Sequence, residues 1–145
     1  MNEIRRTILY IEDDPASREV VLRALEQAGY EVLLAERGLE GIDLARKMTP
    51  DLILTDIRLP DLNGREVATM LRKNSQFRDT PIVAITAYDH TGEREMALAA
   101  GLDGYIVKPI NVDDFQKRIA FYLNGGQDDI EPERLDAARE RYLET

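Results

Sequence analysis

Glu12, Asp13 and Asp14 stand in a row directly behind the apolar run Ile8 to Ile11, and Asp56 follows the run Leu52 to Leu54. Thr86 closes the run Ile82 to Ile85, and Lys108, with Pro109 after it, follows Tyr105 to Val107. If each run is a strand of one sheet, carboxylates, a hydroxyl and an ammonium are delivered to a common rim. That set suits phosphoryl chemistry. Mg²⁺ takes oxygen ligands and commonly keeps several waters, so one or two carboxylates suffice; Asp13 and Asp56 could supply them, with Glu12 nearby. A carboxylate can also attack phosphorus and carry the group as an acyl phosphate, which makes Asp56 the candidate nucleophile. Lys108 would neutralise charge on the transferring oxygens as a point cation, and the Thr86 hydroxyl would hydrogen-bond one of them.

Five elements must position these side chains. The runs Ile8 to Ile11, Val32 to Ala35, Leu52 to Leu54, Ile82 to Ile85 and Tyr105 to Val107 are short and mostly rich in β-branched residues, which predicts strands buried on both faces. Between them apolar residues recur at helical spacing: Val21, Leu22, Leu25 and Ala28; Leu39, Ile42, Ala45 and Met48; Val67, Met70 and Leu71; Val112, Phe115, Ile119, Tyr122 and Leu123. Asp14 followed by Pro15 predicts a helix start, Gly29 its end, and Gly101 the end of the fourth helix. Five βα units predict a doubly wound parallel sheet covered by helices on both faces, since a closed barrel needs eight. In such sheets ligands bind beyond the carboxyl ends of the strands, where these polar residues fall.

The 145 residues fit one domain with a short appendage, and 43% hydrophobic with 32% charged residues provide an ordinary core. A net charge of −9 opposes an unaided grip on nucleic acid or an anionic membrane. No cysteine means no disulfide, thiolate metal site or thiol nucleophile. There is no run long enough to span a bilayer and no apolar leader, so the expected location is the cytoplasm. The expected division is a domain over 1–123, an acidic joint over 124–131 beginning NGGQDD, and a helix over 132–145 with Ile130, Leu135, Ala138 and Tyr142 as its apolar stripe. Residues 124–145 carry seven acids and three arginines, −4 of the total. That helix is too short to fold alone, and either ends a stand-alone protein or leads into a further module.

IEDD at 11–14, DLILTDIRLPDLNG at 51–64, ITA at 85–87 and YIVKPI at 105–110 together resemble the receiver domain of two-component response regulators, over residues 7–123. The resemblance implies a flavodoxin-like sheet of order 2-1-3-4-5. It also implies transfer of a phosphoryl group to Asp56 from a histidine kinase or histidine phosphotransfer protein with Mg²⁺, followed by slow self-catalysed hydrolysis. Glu12 and Asp13 match the acidic pair, the backbone carbonyl of Arg58 a further metal ligand, and Lys108 the family's lysine. Thr86 and Tyr105 match the switch pair, and the bond between Lys108 and Pro109 is expected to be cis. A downstream protein would read the face from the fourth strand to the fifth helix, and pairing with a second copy is also open. Arg58 and Tyr88, at positions where the family varies, are expected to tune access of water to the acyl phosphate.

Plainer roles compete at several positions. Asp14 is best explained as a helix cap, Tyr105 is equally a core residue, and His90 sits in a polar turn. Two other classes of function stay open on the sequence: a magnesium-dependent phosphatase with an aspartyl nucleophile, and a scaffold acting without phosphorylation. The first commonly carries a second acid two residues after its nucleophile, whereas Ile57 and Arg58 follow Asp56.

Overall fold

A computed structural model describes residues 5–87, 92–128 and 140. Strands β1 (Thr7–Ile11), β2 (Glu31–Ala35), β3 (Leu52–Thr55), β4 (Ile82–Thr86) and β5 (Gly104–Val107) alternate with helices α1 (Pro15–Gln27), α2 (Gly38–Met48), α3 (Gly64–Arg72), α4 (Glu93–Ala99) and α5 (Val112–Leu123). All strand pairs are parallel, in the order β2-β1-β3-β4-β5. This is the doubly wound, flavodoxin-like sheet expected from the sequence. The helix read over 132–145 lies outside the described residues apart from Glu140, as do Tyr88 and His90.

Alternation along each strand divides the core between the two faces of the sheet. Leu9, Ile11, Ile53, Ile82, Ala84 and Tyr105 pack against α2, α3 and α4. Ile8, Tyr10, Leu54, Val83, Ile85 and Ile106 pack against α1 and α5. The three central strands are buried on both faces, but β2 is not: Leu34 is 38% exposed, because β2 is an edge strand with a neighbour on one side only. The stripe read on α2 is also narrower than its sequence suggests. Ile42 and Ala45 are buried, while Leu39 and Met48 at its ends face solvent. Gly38 and Gly41 take the packing positions instead; a Cβ at 41 would overlap the side chain of Ile11.

The helix boundaries follow local chemistry. Asp14 accepts the Ser17 amide at 2.9 Å as N-cap of α1, and Gly29, with φ +92°, follows its end. Gly101, φ +108°, follows α4 in the same manner. Asn63 and Glu66 form a reciprocal capping box at the start of α3. The Lys108–Pro109 bond is cis, as the resemblance implied.

Candidate functional site

β1 and β3 lie side by side at the point where chain order reverses across the sheet. The Asp56 amide donates to the Ile11 carbonyl at 3.0 Å, which ties the residue after β3 to the end of β1. On the other side of β1, the Glu12 amide donates to the Ala35 carbonyl at 2.9 Å, and across β4 and β5 the Lys108 amide donates to the Thr86 carbonyl at 2.9 Å. Ladder hydrogen bonds that continue one residue past the strands thus fix the rim on which the polar side chains stand.

Glu12, Asp56 and Lys108 meet there. The Lys108 Nζ donates to Asp56 Oδ2 at 2.9 Å and makes a further short hydrogen bond to Glu12 Oε1. Glu12 is 1% exposed and Asp56 7%. Burial raises the Glu12 carboxyl above the ordinary carboxylate range; the hydrogen bond from Lys108 works against this, and the neighbouring charge of Asp56 adds to it. For Lys108, burial disfavours the charge, but hydrogen bonds to Glu12 and Asp56 outweigh it and hold the ammonium above its usual value. The lysine is therefore a fixed cation between two acids.

Of the remaining sequence candidates, Asp13, Thr86 and Arg58 lie at the same end of the sheet, while Tyr105 stands further back in β5, opposite Ala84 of β4. Asp13 follows Glu12 and is exposed at the rim. Thr86 is buried at the end of β4 and Tyr105 is buried in β5. The Arg58 amide donates to Asp56 Oδ1 at 3.1 Å, so residue 58 lies against the nucleophile candidate. Asp14 serves as a cap.

Several residues that hold this arrangement were not singled out from the sequence. The Tyr10 hydroxyl donates to Glu12 Oε1 at 3.2 Å within the core, and burial pushes that phenol well above its usual range. Nothing in a strand distinguishes such a tyrosine from an ordinary core aromatic. Arg18 donates to the Glu12 carbonyl and to Glu36, both at 3.2 Å. Gly64 lets α3 begin against the Asp56 main chain: a Cβ there would overlap the Asp56 carbonyl oxygen. The Asn63 and Glu66 pair was legible as a capping-box spacing and anchors the loop that returns from Asp56.

Asp13 and Asp56 offer hard oxygen donors on a rim where acids outnumber the lysine between them, which is the donor chemistry of Mg²⁺. Among the described residues no three ligating side chains form a ready cage. Mg²⁺ does not require one, since waters and a phosphate oxygen commonly complete its shell. Asp56 Oδ1 and Oδ2, each engaged by one donor recorded above, retain lone pairs for a metal or for attack on phosphorus.

Comparison with known proteins places the chain in a family. Residues 8–120 match the response regulator receiver domain family. The polar-differentiation response regulator DivK of Brucella anthropi is 37% identical over 118 residues, which cover 81% of this chain and 96% of that protein. The chemotaxis response regulator CheY4 of Vibrio cholerae superposes with a TM-score of 0.76 at 31% identity, covering 81% of this chain and 98% of that one. The receiver domain of the sensor histidine kinase PA1611 from Pseudomonas aeruginosa, solved with a magnesium ion in its active-site cleft, gives a TM-score of 0.78 at 32% identity, over 84% and all of the respective chains. The chain belongs to the response regulator receiver domains and is a signalling module of two-component systems.

Proposed function

We propose that Asp56 accepts the phosphoryl group and that Glu12, Asp13, Thr86, Tyr105 and Lys108 serve that transfer and its readout. The observation that carries this is the buried cluster in which Lys108 joins Asp56 to Glu12 across β1, β3 and β5. An Asp56 carboxylate oxygen attacks phosphorus of a partner's phosphohistidine. The O–P bond forms as the P–N bond breaks, and the electron pair leaves with the imidazole nitrogen, which takes up a proton. Lys108, already held against Asp56 Oδ2, meets the negative charge on the incoming oxygens without reorganisation.

Asp13 and Asp56, with the Arg58 carbonyl, would hold Mg²⁺, which supplies further neutralisation of the transferring oxygens. The Thr86 hydroxyl then hydrogen-bonds a phosphoryl oxygen, and the Tyr105 ring fills the space beside it. Such a transfer replaces a carboxylate of charge −1 by an acyl phosphate of about −1.5 to −2, so it adds up to about one negative charge and three strong acceptors at one point, enough to favour a different loop arrangement. Arg58 and Tyr88 govern access of water to the acyl phosphate.

A mostly apolar cleft of about 370 Å³ opens beside Lys108, with Ala16, Val20, Ala87, Pro109 and Ile110 on its walls. It is suited to a histidine-bearing helix of a kinase or phosphotransfer protein, while the face from β4 to α5 is left for a downstream protein. Transfer from a phosphorylated histidine domain to the wild type, in Mg²⁺ and after chelation, tests the reading beside Asp56→Asn. Wild type is labelled only with the metal, and Asp56→Asn stays folded and unlabelled. A labelled Asp56→Asn would overturn the assignment.

A further inference from the structure

The residues after α5 are bound to the edge of the sheet. Gly125 adopts φ +92°, the Gly125 and Gly126 amides donate to the carbonyls of Tyr122 and Phe121 at 3.0 and 2.9 Å, and a Cβ on Gly126 would overlap the Phe121 ring. The chain is thereby turned back from α5 toward β5, where the Asp128 amide donates to the Asp103 carbonyl at 2.8 Å.

The Asp128 side chain is 8% exposed and collects four donors. Its Oδ1 accepts the Tyr122 hydroxyl at 2.7 Å; its Oδ2 accepts the Tyr105 amide at 3.0 Å, Arg94 at 3.1 Å and Arg118 at 3.3 Å. Arg118 also donates to the Tyr105 carbonyl at 3.0 Å. Both main-chain groups of Tyr105 are therefore held by side chains rather than by a strand, on the open edge of β5. One carboxylate ties together α4, β5, α5 and the segment leading out of the domain.

We infer that Asp128 is a positioning residue for the switch: it fixes Tyr105 and α4 in the arrangement with the Tyr105 ring buried. The inference rests on the assignment of Asp56 as phosphoacceptor and of Tyr105 as its responder. If a phosphoryl group at Asp56 favours the buried ring, then the filled site and the Asp128 contacts that hold that arrangement strengthen each other by the same factor, because such coupling is reciprocal.

The test uses the full chain and a phosphoryl mimic, beryllofluoride with Mg²⁺. Asp128→Asn keeps the size of the side chain and removes its charge; it is expected to weaken mimic binding about fivefold to tenfold, within the usual range of such coupling. In the wild type, the mimic should slow hydrogen exchange at the Tyr105 amide, and Asp128→Asn should speed that exchange even without the mimic. Arg94→Gln, which removes one of the four donors to Asp128 and leaves its contacts with Tyr105 and Tyr122 in place, should weaken binding in the same direction by less, and it decides the matter if Asp128→Asn does not fold. Unchanged affinity in folded variants would mean that Asp128 only caps the edge strand, and would overturn the inference alone. Failure of the wild type to bind the mimic, or equal binding by Asp56→Asn, would instead remove the phosphoacceptor assignment and the inference with it.

Discussion

Lys108 is the residue on which the charge balance of the rim turns. Glu12 is almost completely buried, and a buried carboxylate without a cationic partner is costly. Lys108→Ala is expected to cost about 2–3 kcal/mol at neutral pH, the order of leaving such a group uncompensated. The pH dependence has a definite sign. A carboxyl raised above its unfolded value, as Glu12 is, contributes stability below about pH 4.3 and loses it as pH rises through the folded value. Removing the ammonium enlarges that loss, so the deficit of Lys108→Ala relative to wild type should shrink on acidification from pH 7 to 5 in urea unfolding. A deficit independent of pH would contradict this account. Glu12, Asp56, Thr86 and Lys108 were legible in the sequence because each polar residue ends an apolar run or follows it within two positions. Tyr10 was not, because its hydroxyl acts inside the core while its ring satisfies the strand pattern.

Elements are held at the site by partners distant in sequence. α2 begins without a side-chain cap from its own N-terminal residue; the Asp61 carboxylate, from the loop after β3, accepts the amides of Gly38 and Leu39 at 2.8 and 3.0 Å. Desolvation works to raise the Asp61 carboxyl, but the amides of Leu39, Gly38 and Leu62 together hold it below the ordinary range. A lowered acid contributes stability above its unfolded value, near pH 3.9, and loses it as pH falls through the folded value. Asp61→Ala should therefore cost about 1 kcal/mol at pH 7, as lost caps do, with the difference fading in thermal melts well below pH 4. Gly64→Ala should be worse, by about 2–4 kcal/mol, because the added carbon meets main chain that cannot rotate away; phosphoryl labelling of Asp56 should fall with it. The strands, the start of α1 and the ends of α1 and α4 were readable from apolar runs, the Asp14 cap and Gly29 and Gly101. The exposed face of β2 and the narrow stripe of α2 were not, since strand order and the close approach of Gly41 to Ile11 are tertiary facts. The first five residues of the acidic stretch after Leu123 read as a polar joint, with no local mark of the arginines and tyrosines that Asp128 meets across the fold.

At the scale of the whole molecule, the sheet brings residues about fifty positions apart to one rim and holds Asp128, just beyond α5, on the edge of β5. Among the described residues no helix is long and apolar enough to cross a membrane. The receiver domain thus joins two regions: a rim at β1 and β3 where Lys108 bridges Asp56 and Glu12, and a β5 edge where the main chain of Tyr105 is held by side chains. Both accounts depend on where the phosphoryl group is carried. Incubation of the full chain with radiolabelled acetyl phosphate and Mg²⁺, followed by proteolysis, locates it directly. One label is expected, released by hydroxylamine as an acyl phosphate is, on the peptide containing Asp56. A label on the peptide of Asp13 and Asp14, or none under saturating donor and metal, would contradict it.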